Sequence, residues 1–289
     1  MNLYKKSDIP SHLQQYFTPA EIGLEETPDA YVARLVDVFR EVRRVLTDDG
    51  SLWLNIGDSY AGAGYSNHQK RYNAAQKSEG GKQRHSYVDG FKNKDLIGIP
   101  WMLAFALRAN GWYLRQDIVW HKPNPMPESV RDRCTKAHEY VFLLTKSQRY
   151  FYDHEAVKEP AAYADSGRAS RKRGDFAGKN VEPGKEAFRA VTETRNKRSV
   201  WTVAPRPYAG AHFAVYPPEL IVPCIEAGCP KGGVVLDPFG GSGTTGGVAL
   251  ARGRNALMLE LNPEYAALMP DRAANVIASL SRRSSDGAA

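Results

Sequence analysis

Residues 233–246 constrain this chain more than any other stretch. Gly233-Val-Val-Leu-Asp237 reads as a short apolar strand, and Thr244 to Arg252 as a helix, with Pro-Phe-Gly-Gly-Ser-Gly between them. A strand that passes into a helix through glycines lets the backbone approach a ligand closely. It also leaves helix N-terminal N–H groups to face that ligand. Gly241, Gly243 and Gly246 formally satisfy a GxGxxG spacing, so a nicotinamide-dependent oxidoreductase is one reading. A Walker A loop is excluded, because no Gly-Lys-Ser/Thr follows.

The flanks of the turn argue against a dinucleotide. Asp237-Pro238-Phe239 stands between the strand and the glycines, where a dinucleotide fingerprint has none of these residues. A carboxylate at a strand end can pair with a cationic amino group. Glu260, at the end of the next strand, can accept hydrogen bonds from ribose hydroxyls. S-adenosylmethionine carries both an amino-acid head and an adenosine, and it fits this pair of acids. A purely structural strand–turn–helix corner is the remaining alternative.

The rest of the chain alternates strands and helices on both sides of a polar segment. Residues 28–46 place Val32, Leu35, Val36, Phe39, Val42 and Leu46 at helical spacing, with Thr27 as N-cap and Pro28 in the first turn. Strands are expected at Ser51–Ile56, Trp112–Trp120, Glu139–Thr145 and Ala256–Glu260. Further helices are expected at Pro100–Asn110, Pro217–Ala227 and from Pro263 toward Leu280. The pattern predicts an open, largely parallel α/β sheet. Residues 61–94 read as a long surface loop. Residues 1–152 are expected to form one half of the main domain and 203–280 the ligand-binding half. Between them lies an insert at 153–202, and 281–289 are expected to be a frayed tail.

Composition narrows the class. The chain has 289 residues, 42% hydrophobic and 25% charged, which excludes global disorder. Its net charge of +7 fits a polyanionic partner without requiring one. No apolar stretch is long enough for a membrane span, and the N-terminus has no apolar signal core. Cys134, Cys224 and Cys229 form no CxxC pair, so neither a disulfide framework nor a metal site is expected, and a cytoplasmic location follows.

Asp237-Pro-Phe-Gly-Gly-Ser-Gly-Thr-Thr245 resembles the cofactor motif of the DNA amino-methyltransferases, which methylate N6 of adenine or N4 of cytosine. Tyr216 aside, His212-Phe-Ala-Val-Tyr-Pro-Pro-Glu219 resembles the family's motif upstream of the cofactor strand. Glu260-Leu-Asn-Pro-Glu-Tyr265 resembles its ribose-binding motif. Leu52–Asp58, His121–Asn124 and Thr135–Tyr140 also match family segments. The order, catalytic half before cofactor half, is that of the family's β group, with a circularly reordered Rossmann-like sheet and an inserted target-recognition segment. The resemblance implies that S-adenosylmethionine is held by Asp237, Pro238, Phe239, Gly241, Ser242, Gly243, Thr244, Glu260, Asn262 and Phe213. It implies duplex DNA as partner, with a cognate restriction endonuclease and a homodimer as further partners of the class. Lys122 and the basic run Arg168, Arg171, Lys172 and Arg173 are the expected DNA contacts.

One family feature is not found. The resemblance leads to a Ser/Asp/Asn-Pro-Pro-aromatic tetrapeptide that holds the target amine beside a flipped base. Its expected place falls at or just before Met1, so catalytic residues stay unassigned. A shortened chain is one reading of this; a natural variant that has abandoned catalysis and remains a cofactor- and DNA-binding remnant, or that uses different residues, is the other. Asn55 and Asp58 are expected to cap strand and loop backbone, and His121 to be structural.

Overall fold

The computed structural model describes residues 22, 23, 25, 27–61, 90–161, 194–206 and 215–286. Helix α1 (Pro28–Val45) starts as its sequence dictates. Thr27 accepts the Ala30 N–H at 3.2 Å, Pro28 occupies the first turn, and Arg43 and Arg44 sit at the negative end of the helix. Its buried face is Val32, Leu35, Phe39 and Val42. Strand β1 (Ser51–Ile56) follows, and then helix α2 (Ile99–Ala109), whose Leu103, Ala104 and Leu107 are fully enclosed against α1. The Asp58 carboxylate, just past β1, accepts the Gly98 and Ile99 N–H groups at 2.9 and 3.1 Å. It therefore caps α2, a structural use, but of a helix start rather than of the strand expected for it.

Strands β2 (Tyr113–His121) and β3 (His138–Thr145) complete the first sheet with β1. A later strand, β6 (Val200–Thr202), adds to its edge, giving the order β1-β3-β2-β6. Strand β3 lies antiparallel to both β1 and β2, with Ile56 opposite Tyr140 and His121 opposite His138. This corrects the expectation of a largely parallel sheet. The 122–137 connection carries Pro123, Pro125 and Pro127 and forms no helix, so no crossover can return the chain for a parallel pairing. Among the described residues, β6 is the strand that pairs with β2 in parallel, setting Trp201 beside Trp120. Between β3 and β6, β4 (Glu159–Pro160) and β5 (Thr194–Arg195) pair antiparallel, and the Arg195 guanidinium meets Glu159 at 2.9 Å. These two short strands close the base of the polar segment. The strand at 200–202 therefore belongs to the main sheet rather than to the insert.

The second half holds helix α3 (Pro218–Gly228), strand β7 (Val234–Asp237), helix α4 (Thr244–Ala251), strand β8 (Asn255–Met258) and helix α5 (Pro263–Asp286). Strands β7 and β8 are parallel, as a βαβ unit requires. Helix α5 runs to Asp286, six residues beyond the expected end at Leu280. Met269, Ala273, Val276 and Leu280 bury one stripe of it at helical spacing, and Ile225, Val248 and Ala249 pack in the same cluster as Val276 and Leu280.

The halves meet along β1. The Ser51 hydroxyl lies 3.5 Å from the Gly228 carbonyl, at the start of β1 and the end of α3. A short connection then begins β7, so β7 starts at the same end of the molecule as β1. Leu236 packs into the cluster of Leu54 and Phe142, and Phe239 meets Phe39 edge-on at 6.1 Å. The C-terminal ends of β1, β2 and β7 therefore share one side, where open α/β sheets bind ligands.

Candidate cofactor site

Asp237 ends β7 and turns its carboxylate back on its own loop. One oxygen accepts the Phe239 N–H at 3.0 Å, and the other accepts the Thr245 hydroxyl, with the Tyr216 hydroxyl 3.4 Å away. The Tyr216 and Thr245 hydroxyls are 2.6 Å apart. Since the Thr245 proton serves Asp237, Tyr216 is the donor to Thr245. A carboxylate offers about four acceptor positions, so Asp237 keeps room for another donor such as an ammonium. Enclosure and the Asp237 charge push the Tyr216 phenol far above its ordinary range, so it stays a neutral donor.

Glu260 closes the other side of the turn. Its two oxygens accept the Gly241 and Asn262 N–H groups, each at 2.8 Å. The Asn262 side chain accepts the Glu264 N–H at 2.9 Å and so caps the start of α5. Both acids are thus fixed in place before any ligand arrives.

The glycines divide into two kinds. Gly243 adopts φ +97° at the N-cap of α4, a backbone that side chains rarely take, and a Cβ there would lie 3.0 Å from Met269. A Cβ on Gly240 would come within 2.8 Å of the Met269 methyl. These glycines let the turn sit against α5. Gly241, also at positive φ, is the one whose N–H is held by Glu260. No side chain caps α4, so its first-turn N–H groups are left to the turn. Ser242 and Thr244 are buried, and Arg272 reaches the Thr244 hydroxyl at 3.3 Å. Pro238 is half-buried and Phe239 is exposed over Phe39. A tight glycine cradle, an uncapped helix start and one acid on each side form a donor set suited to S-adenosylmethionine.

The structure gathers Asp237 through Thr244, Glu260 and Asn262 into one place. Phe213, Arg168, Arg171, Lys172 and Arg173 lie outside the described residues. Lys122 is already engaged: its ammonium pairs with Glu139 and lies 4.3 Å from the Trp120 ring centre. Asn55 supports the same Glu139 at 3.3 Å and donates to the Tyr140 carbonyl at 2.9 Å. His121 meets the Thr202 hydroxyl at 3.1 Å across the β2/β6 pair, a structural use. Sequence reasoning passed over Tyr216 and Thr245. The only signal for Tyr216 was a hydroxyl on an aromatic position immediately before Pro217-Pro218. Among the described residues no cluster of His, Cys, Asp or Glu could hold a metal, and no helix is long and apolar enough to cross a membrane.

The DNA methylase family, that of the N6/N4 enzymes, matches residues 7–270 of this chain. The chain belongs to that family. This methylase is 48% identical over 263 residues to the Type II methyltransferase M.XycI of Xanthomonas campestris pv. cyanopsidis, covering 90% of this chain and 77% of the relative. It is 45% identical over 260 residues to the Type II methyltransferase M.SmaI of Serratia marcescens, covering 90% and 80%. Among solved structures, the methylase is similar to the cytosine-N4-specific PvuII DNA methyltransferase. That match has a TM-score of 0.57 and 17% identity, covering 90% of this chain and 79% of the other. The PvuII likeness supports the fold.

Proposed function

We propose that this methylase transfers a methyl group from S-adenosylmethionine to the exocyclic amine of a base, adenine N6 or cytosine N4, at specific sites in duplex DNA. The observation that carries the reading is the prebuilt turn between Asp237 and Glu260, in a chain of the DNA methylase family. Bound there, the sulfonium supplies an electrophilic methyl group. Asp237 takes the ligand's ammonium on its remaining acceptor position. Glu260 faces the ribose hydroxyls, its orientation fixed by the Gly241 and Asn262 N–H groups. The buried backbone of residues 240–244 lines the turn, and Phe239 adds an exposed apolar wall. The C-terminal ends of β1 and β2 offer the face on which DNA lies. The relatives' Type II names support a role beside a cognate restriction endonuclease. A cytoplasmic location, a homodimer and phosphate contacts by Arg168, Arg171, Lys172 and Arg173 belong to the same reading.

Isotope-labelled S-adenosylmethionine and sonicated bacterial genomic duplex DNA test it. Label transferred to DNA and lost on omission of the protein is expected. Cofactor binding by calorimetry without transfer would replace this reading with that of a non-catalytic remnant. Binding of NAD in place of S-adenosylmethionine would overturn both.

A further inference from the structure

Met126 is exposed at 85%, the highest value among the exposed large hydrophobic side chains of the described residues. A single exposed apolar residue is ordinary on a protein surface. Three features set this one apart. It stands between Pro125 and Pro127, which fix the backbone on one side and hold Met126 to an extended conformation on the other. The tip is therefore stiff although it belongs to no helix or strand. The loop that carries it is also tied down at its base. Arg133 pairs with Glu128 at 2.7 Å, and the same Glu128 accepts the Lys136 N–H at 3.3 Å. Asp132 pairs with Lys94 at 2.6 Å, and the Arg133 guanidinium lies 4.1 Å from the Tyr60 ring centre. Finally, the loop joins the C-terminal end of β2 to the start of β3, on the side where β7 presents Asp237.

A methylase that acts on a base amine must take that base out of the stack, and the stack left behind has a gap. Apolar wedges, Met among them, fill such gaps and hold a duplex open. The thioether chain is slim and polarizable and fits between base faces. Exposed Arg131 suits a phosphate beside the gap, while Lys94, Arg133 and Lys136 face Asp132, Glu128 and Asp58 and hold the loop.

The geometry points to Met126 as the residue that enters the DNA stack when the target base is extruded. This rests on the DNA-methylating reading above and deepens it.

The test places the photo-crosslinking residue p-benzoylphenylalanine at position 126 and irradiates the full chain on sonicated genomic duplex DNA. Nucleobase adducts at position 126 are expected. Methyl transfer by the unmodified chain to the same DNA is read in parallel. Base adducts without methyl transfer would sink the catalytic reading and leave the wedge standing. Methyl transfer with sugar adducts only, or with none, would overturn the wedge and leave the catalytic reading intact. Neither adducts nor transfer would overturn both. Where transfer occurs, Met126→Ala should lower kcat/KM about ten-fold, the order expected when extrusion loses its filler, with S-adenosylmethionine affinity unchanged. Met126→Leu should retain most of the activity. Equal activity of Met126→Ala and the parent chain would overturn the proposal.

Discussion

Replacing Glu260 by Gln tests the cofactor turn where one side chain holds two backbone N–H groups. In the parent chain each carboxylate oxygen accepts one backbone N–H at 2.8 Å, from Gly241 and from Asn262. The amide of Gln has nearly the same shape but only one acceptor oxygen. Whichever way it turns, one N–H loses its partner and meets an NH2 instead. A hydrogen bond to a charged group contributes about 1.5–3 kcal/mol, so the turn loses about that much. The ribose side of the site also loses its negative charge. A turn that relaxes in the free protein must be re-formed on binding. The lost free energy therefore appears as weaker affinity, about 10- to 150-fold at 1.36 kcal/mol per decade.

Calorimetric titration of Glu260→Gln with S-adenosylmethionine measures this directly. Thermal unfolding without ligand is the control, and a drop of several degrees is expected. Affinity within two-fold of the parent, with an unchanged melting temperature, would refute the reasoning. It would show that the two N–H contacts neither hold the turn nor orient the acid.

Tyr216→Phe removes the hydroxyl that donates to Thr245, so stability should fall by about 0.5–1.5 kcal/mol, read by urea unfolding, and cofactor affinity by a few-fold. Gly247→Ala should destabilise despite the helix propensity of Ala, because the new Cβ would lie 2.7 Å from the Val276 Cβ and 3.0 Å from the Ala273 Cα. Overpacking of about 1–3 kcal/mol outweighs a propensity gain of about 1 kcal/mol, and a higher urea midpoint would contradict this. A disulfide reagent at mildly alkaline pH should modify exposed Cys134 first. Half-buried Cys229, raised by burial, should react more slowly, and Cys224, also raised by burial, only on unfolding. The Glu128 and Asp132 carboxyls are held below their usual values, first by hydrogen bonds from Arg133 and Lys94. A depressed folded-state value means the tether is present above the unfolded-state pKa and lost as pH falls through the folded one. Acid-active proteolysis should therefore cut the 122–137 loop only at pH below the ordinary carboxylate range.

The elements that rest on local periodicity were legible in the chain. Helix α1 shows why. Its buried residues Val32, Leu35, Phe39 and Val42 recur at helical spacing, and Thr27 and Pro28 mark its start by chemistry that acts over three residues. Strand direction was not legible in the same way. The direction of β3 depends on whether 122–137 packs as a crossover, and alternation of apolar residues looks the same in either sense. The three prolines of that connection carried the relevant information, because they prevent a helix. Strand β6 was missed because only Trp201 of its three residues is buried, and it has meaning only beside Trp120.

The candidate site was legible as a motif, but the work of its residues was not. Read along the chain, the glycines of 240–247 all suggest close approach to a ligand. In three dimensions Gly240, Gly243 and Gly247 face α5, where a Cβ would strike Met269, Ala273 or Val276. The packing of α4 on α5 is thus a condition for the turn. Asp237 and Glu260, read as ligand contacts, are also structural members of the turn they serve, each accepting backbone N–H groups of the loop itself. Ligand contacts that are already oriented by the fold lose little entropy on binding, and they hold their dipoles where charge must be met. The same residues therefore fold the turn and prepare it. A substitution at either acid changes stability and affinity together, whereas one at exposed Met126, outside the turn, separates them.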